Sequence, residues 1–255
     1  MEKRSLNRRR GELDPFPAWL AAFMDAEGVG FWGAADLKEF PTPTDLSGKD
    51  FPIAISWAVP MDPAIMAGIR NGPTEPYCAL YTAMNLRINA VAERLTSELQ
   101  DRGFRALPLA ASVRTDEETL RGDFPHKTAA TRAGLGWIGR HCQLVTFAYG
   151  PWVRLGTVFT DMALPTGPPV EQDFCGKCAE CVDACPADAL SGEKWYPGLP
   201  REALLDARAC DNWKTEHYPA YNGKHNCGIC SSACPFGHKS MRMRRRTFGA
   251  GEGAR

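Results

Sequence analysis

The chain has 255 residues, 44% of them hydrophobic, enough for one substantial core and a smaller second one. Thirty basic and thirty acidic residues cancel, so no global field recruits or repels nucleic acid. No run approaches the roughly 18 consecutive apolar residues of a membrane span. The basic start MEKRSLNRRRGELDPF has no apolar stretch behind it, so neither a secretory nor a twin-arginine signal is read there. The expectation is a soluble, cytoplasmic protein with no membrane partner.

In chain order, Asp14-Pro15 followed by FPAWLAAFMDAEG predicts a capped helix closed by Gly28. VGFWGA (29–34) and FPIAISWAV (51–59) predict buried strands. From Tyr77 to Gly103 the apolar residues Leu80, Met84, Ile88, Val91, Leu95 and Leu99 recur by threes and fours, the stripe of a long amphipathic helix. FRALPLAAS predicts a strand and HKTAATRAG a helix. QLVTFAYG and WVRLGTVFTDM are apolar and β-branched, and predict a hairpin. Residues 1–165 thus form an α/β region. After the linker ALPTGPPVEQD a second region runs over 166–240, and 241–255 is a basic tail that reads as disordered.

The ten cysteines are distributed unevenly. Cys78 and Cys142 stand alone and read as small buried hydrophobes, and Tyr77 and Tyr81 read as packing residues. The other eight crowd between Cys175 and Cys234. CGKCAECVDACP has the C-x2-C-x2-C-x3-C-P spacing in which the fourth thiolate ligates the other of two iron–sulfur clusters. By that rule Cys175, Cys178, Cys181 and Cys234 hold one [4Fe–4S] cluster, and Cys185, Cys210, Cys227 and Cys230 hold the second. Two-residue spacers let neighbouring thiolates reach one cube, and Pro186 and Pro235 fix φ where the chain turns away. Zinc is the other chemistry that uses C-x2-C pairs, but two interlocked groups of this kind point to clusters.

AGLGWIGRH contains G-x-G-x-x-G at Gly134, Gly136 and Gly139. A dinucleotide loop needs a strand before these glycines and a helix after them. Here a helix precedes and an extended run follows, Trp137 and Ile138 are bulky for a phosphate cradle, and Asp161, about 20 residues on, is an acid easily met by chance. The motif therefore predicts a tight turn with close backbone approach, not a nicotinamide site.

HKTAATRAGLGWIGRHCQLVTFAYGPWVRLGTVFTD, followed by CGKCAECVDACPADAL, LDARACDNWKTEH and CGICSSACPFG, resembles the epoxyqueuosine reductase family, cobalamin-dependent double-[4Fe–4S] enzymes related to the reductive dehalogenases. The resemblance is dense from about residue 123 to 238. It implies an α/β cobalamin-binding domain followed by a ferredoxin-like double-cluster domain. It places Lys127, Gly134, Leu135, Gly136, Trp137, Gly139, Arg140 and Asn212 at the corrinoid. It further implies electrons from a low-potential donor of the ferredoxin or flavodoxin type, passed through the cluster of Cys175, Cys178, Cys181 and Cys234 to the second and on to cobalt. Reduced cobalamin then supplies a nucleophile for an electrophilic carbon such as that of an epoxide. No D-x-H-x-x-G is present, so no cobalt-ligating His of that kind is indicated.

Three departures bear on what carries over. In the queuosine enzymes a catalytic Asp lies upstream of the glycine turn. Asp123 is the nearest acid here and lies closer to the glycines. It is a candidate proton donor or, equally, an N-cap for the helix starting near Pro125. His126 is the other candidate, its ordinary pKa suiting transfer near neutral pH, although it and Lys127 also fit exposed helix positions or corrin contacts. The usual Lys after W-I-G is Arg140 here, which keeps the charge and changes the geometry. Finally, the queuosine enzymes continue into a helical-repeat region that helps hold tRNA, whereas this chain ends 21 residues after Cys234 with six Lys or Arg against one acid from residue 231 on. tRNA is thus a possible partner and not an implied one. The rivals are a non-catalytic ferredoxin-type carrier and a reductase that activates corrinoid on another protein.

Overall fold

The computed structural model describes residues 16–221 and 227–240. The Asp14-Pro15 helix start and the 241–255 tail lie outside the described residues. In chain order the elements are helix α1 (Ala18–Ala26), strands β1 (Trp32–Asp36) and β2 (Ile53–Pro60), helices α2 (Pro63–Gly68) and α3 (Glu75–Asp101), strand β3 (Ala106–Leu109), helix α4 (His126–Arg132), strands β4 (Gly136–Ile138), β5 (Leu144–Thr146) and β6 (Val153–Thr160), and helices α5 (Glu180–Asp183), α6 (Arg201–Leu204), α7 (Ala207–His217) and α8 (Ile229–Ala233). They fall into two compact units, one built from the chain up to Val59 with Met84–Leu135 and Arg154–Val170, the other from Pro60–Ala83, Gly136–Val153 and the chain from Glu171 onward. The chain crosses between them several times, which a linear division at residue 165 does not convey.

The first unit is α/β. Its sheet has the order β1-β2-β6-β3. β1 and β2 run antiparallel with Trp32 opposite Trp57, and β3 and β6 run antiparallel with Leu109 opposite Thr157. β2 is buried at seven successive positions, as its unbroken apolar run predicts for an inner strand. The core joins Leu20 and Met24 of α1, Ile55 and Trp57 of β2, Ile88, Val91, Leu95 and Leu99 of α3, and Val158 of β6. Each such aliphatic side chain contributes about 1.5–3 kcal/mol on burial. The stripe read from the sequence is therefore the packed face of α3, from Met84 onward in this unit.

In the second unit the first turns of α3 supply Tyr77 and Cys78 to a cluster with Met61, Met66, Ile69 and Trp152. Asp62 caps α2 by accepting from the Ala64 and Ile65 amides, with Pro63 at the first helical position. The Trp152 indole N–H donates to the Ser231 carbonyl at 2.9 Å. The hairpin expected between QLVTFAYG and WVRLGTVFTDM is not formed. β5 pairs back onto β4, Trp137 opposite Val145, in a separate two-stranded sheet. Mutual Thr146 and Gly150 backbone bonds then close a turn, with Gly150 at φ +60°. β6 instead takes the inner slot between β2 and β3. Eight residues with one nearly continuous buried face gain more there than against a three-residue strand.

Candidate cluster and active-site residues

The glycine motif is explained by its own backbone. Gly134, at φ +78°, ends α4 in the left-handed region with its N–H on Thr131 O. A Cβ on Gly136 would lie 2.1 Å from Val145 O, so only glycine lets β4 approach β5. A Cβ on Gly139 would meet His141 and Val145 at 2.9 Å. Helix before and strand after is the order the sequence predicts, and Asp161, the acid a ribose would need, is held by Arg105 N and Nε at 2.9 and 3.0 Å.

What the turn delivers is contact with the cysteines. Trp137, fully buried, donates its indole N–H to Cys175 Sγ at 3.5 Å. Its ring packs against Phe147, Phe174 and Phe236 at 5.0, 5.2 and 4.9 Å. Arg140 donates from Nη2 to Gly176 O at 2.9 Å and from Nη1 to Gly192 O. Gln143, which the sequence reading passes over, donates its amide to Cys230 Sγ at 3.4 Å while its backbone N–H bonds His141 Nδ1. A lone Gln carries no motif, so nothing in the sequence marks it.

The Cys175, Cys178, Cys181 and Cys234 thiols are electrostatic neighbours of one another, as are those of Cys185, Cys210, Cys227 and Cys230. Burial, reinforced by Cys175 and Cys178, pushes the Cys181 thiol up to about 11. Burial pushes Cys234 up to about 12, with Cys175 and Cys181 adding to it. In the other group burial raises Cys227, with Cys210 and Cys185 beside it. Cys230 is raised well above its ordinary value, by burial and by the thiols around it, Cys181 of the first group included. All eight are free of disulfides. Among the described residues no group of three His, Cys, Asp or Glu side chains is placed to hold a single metal ion. Two sets of four soft thiol donors have the donor chemistry that a pair of [4Fe–4S] cubes takes.

The corrinoid residues fare differently. Leu135, Gly136, Trp137 and Gly139 are buried, Trp137 donates to Cys175 and Arg140 directs Nη1 and Nη2 to Gly192 and Gly176, and Lys127 is half-buried. Asn212 alone of the set is exposed, on α7 two residues from Cys210. Cys78, Cys142 and Tyr77 are buried, as packing residues should be.

His126 departs from the expectation of a proton donor with an ordinary pKa. Burial, with Arg154 nearby, pushes it down to about 4 against the opposing bond to Ala110. Its Nε2 lies 3.3 Å from the Ala110 carbonyl, which can only accept, and its Nδ1 lies 2.9 Å from the Thr157 hydroxyl. The neutral ring therefore carries its hydrogen on Nε2 and accepts from Thr157, so both nitrogens are in use. Asp123 does not cap α4, whose N-cap is Pro125 with no side-chain bond. Its carboxylate is exposed.

Residues 174–237 match the 4Fe-4S double cluster binding domain. The epoxyqueuosine reductase of Pseudomonas aeruginosa is 29% identical over 188 residues, 67% of this chain and 46% of the relative. That of Gloeobacter violaceus is 33% identical over 135 residues, 49% of this chain and 39% of the relative. The chain thus spans less than half the length of these curated relatives. Among solved structures, the catabolic reductive dehalogenase NpRdhA in complex with 3-bromo-4-hydroxybenzoic acid aligns with a TM-score of 0.66 at 19% identity, covering 91% of this chain and 34% of the dehalogenase. An epoxyqueuosine reductase with an epoxyqueuosine-modified tRNA-Tyr stem loop aligns with a TM-score of 0.56 at 17% identity, covering 87% and 65%. One further neighbour, with a TM-score of 0.66 at 18% identity over 94% of this chain and 35% of its own, is a reductive dehalogenase described as B12-dependent. At these identities the solved structures establish the fold. The chain is similar to the epoxyqueuosine reductases, shares its fold with them and with the reductive dehalogenases, and carries in residues 174–237 a double [4Fe–4S] domain.

Proposed function

We propose that the chain is an iron–sulfur oxidoreductase of the epoxyqueuosine reductase type, delivering two electrons to an electrophilic carbon. One observation carries this reading: eight cysteines lie within residues 174–237, which match a double-cluster domain, and the thiols of Cys181 and Cys230, one from each group that the spacing defines, act on each other electrostatically. A pair of clusters this close relays electrons, and the α/β unit attached to it exceeds what a bare carrier needs. Cobalamin, the cofactor that the fold neighbours suggest, supplies a strong nucleophile when it is bound and reduced. The protein's own part is electron delivery, exclusion of water and supply of a proton. We assign that proton to the Asp123 carboxyl, because both nitrogens of His126 are taken by Thr157 and Ala110. Epoxyqueuosine in tRNA is the first substrate to try, since a fold neighbour holds that stem loop. A low-potential ferredoxin or flavodoxin is the donor such chemistry needs.

A second reading is favoured by the inward-turned glycine segment: a non-catalytic carrier, in which Trp137 and Arg140 serve the clusters alone. Anaerobic EPR of the cluster-loaded protein with one equivalent of cob(II)alamin separates the two. A base-off cobalt spectrum that forms only with the protein supports the enzyme. A spectrum of free cobalamin, with both clusters reducing normally, overturns it in favour of the carrier.

A further inference from the structure

We propose that the β4–β5 hairpin sets the potentials of the two clusters independently, through one side-chain N–H on a ligand sulfur of each. The inference rests on reading the eight cysteines as two [4Fe–4S] sites. Trp137 Nε1 reaches Cys175 Sγ at 3.5 Å, in the group completed by Cys178, Cys181 and Cys234. Gln143 Nε2 reaches Cys230 Sγ at 3.4 Å, in the group completed by Cys185, Cys210 and Cys227. The two donors lie six positions apart on one short hairpin, yet serve different clusters.

A cluster gains negative charge on reduction, and part of it falls on the ligand sulfurs. An N–H aimed at such a sulfur stabilises the reduced form more than the oxidised form and raises the potential. The effect is stronger where water is excluded. Trp137 is fully buried and three aromatic rings fix its plane, so its N–H has one direction only. The Gln143 amide has a definite sense too, because its reversal would set an oxygen against an electron-rich sulfur. Backbone amides also point at the sulfurs, from Arg140 at Cys175, from Phe236 and Gly237 at Cys234, and from Ile229 at Cys227. Those follow from chain path and survive any substitution, whereas the two side chains can be exchanged. The glycines of the hairpin let β4 and β5 close on each other, and the hairpin so formed carries both side chains.

The experiment is an anaerobic EPR redox titration of wild-type, Trp137→Phe, Gln143→Leu and the double variant, without cobalamin or substrate. Iron and sulfide content is measured first. Failure of the wild type to load two clusters defeats the cluster reading itself, and with it this inference. With both clusters loaded, each single variant should lower the midpoint of one cluster and leave the other in place. The double variant should lower both. Pulse EPR after exchange into deuterium oxide should show one strongly coupled exchangeable proton lost per variant, a signature that altered packing does not produce. Unchanged midpoints, or both clusters moving together in either single variant, overturn the proposal. Should Trp137→Phe not load, Gln143→Leu decides alone, because Gln143 is half-buried and its removal opens no large cavity.

Discussion

The two units hold themselves together by different means. The α/β unit has a four-stranded sheet, most of a 27-residue helix and a core of Leu, Ile, Val and Trp side chains closed to water. The cysteine unit has helices of four and five residues at α5, α6 and α8, far below the roughly 12–15 residues at which an isolated helix becomes even marginal. One of its apolar clusters gathers Met61, Met66, Ile69 and Trp152, and a metal that binds its thiols has to displace their protons. The first unit is thus built round a closed apolar core, while the second is the one expected to depend on its thiolates being bound.

The largest expected effect exploits that contrast. Stripping the clusters under anaerobic conditions with a chelator and an oxidant should abolish amide protection across residues 174–237 in hydrogen-exchange mass spectrometry. Residues 84–101 and 153–160 should keep theirs. Uniform loss across both units would mean that the α/β unit also depends on the clusters, and the contrast would fail.

A smaller effect is confined to the α/β unit. His126 titrates near 6.5 in an unfolded chain and near 4 in the fold, where burial opposes its charge. Between those values the unfolded chain binds the proton and the folded chain does not. The stability it contributes is complete above about pH 6.5 and drains away as the pH falls towards 4. At 1.36 kcal/mol per pH unit that window is worth about 3 kcal/mol. Urea midpoints of wild type and His126→Gln should therefore converge as the pH drops from about 7 to about 4.5. Parallel pH profiles for the two proteins would show that His126 is not held neutral.

Much of this architecture can be read from residue spacing, and the reason is locality. The C-x2-C pairs such as Cys175-x2-Cys178 are local, and the α3 stripe repeats over enough turns to be unmistakable. The pairing of β5 with β4 is not legible, because three-residue strands are too short to show a period and their register depends on one close approach at Gly136. Gln143 is invisible for another reason: its partner, Cys230, lies 87 residues away. The His126 pKa likewise depends on burial that no local pattern announces and on Arg154, far along the chain.

The smallest effect sharpens the comparison inside the cysteine unit. Asp206 caps α7, which carries Cys210, by accepting from the Ala209 amide at 2.9 Å. Asp62 caps α2, which carries no cluster thiol, by accepting from Ala64 and Ile65 at 2.8 and 3.0 Å. Removing either carboxylate by substitution with Ala should cost about 1 kcal/mol of helix stability. If thiolate ligation is what holds the first turn of α7, the loaded protein should absorb Asp206→Ala with almost no change in melting temperature, and the loss should surface only after the clusters are removed. Asp62→Ala should register in the loaded protein, because no metal bond restrains its helix. Equal sensitivity of the two caps in the loaded state would mean that α7 is held by its own hydrogen bonds and packing, and the division between a metal-dependent and a packing-dependent architecture would have to be drawn elsewhere.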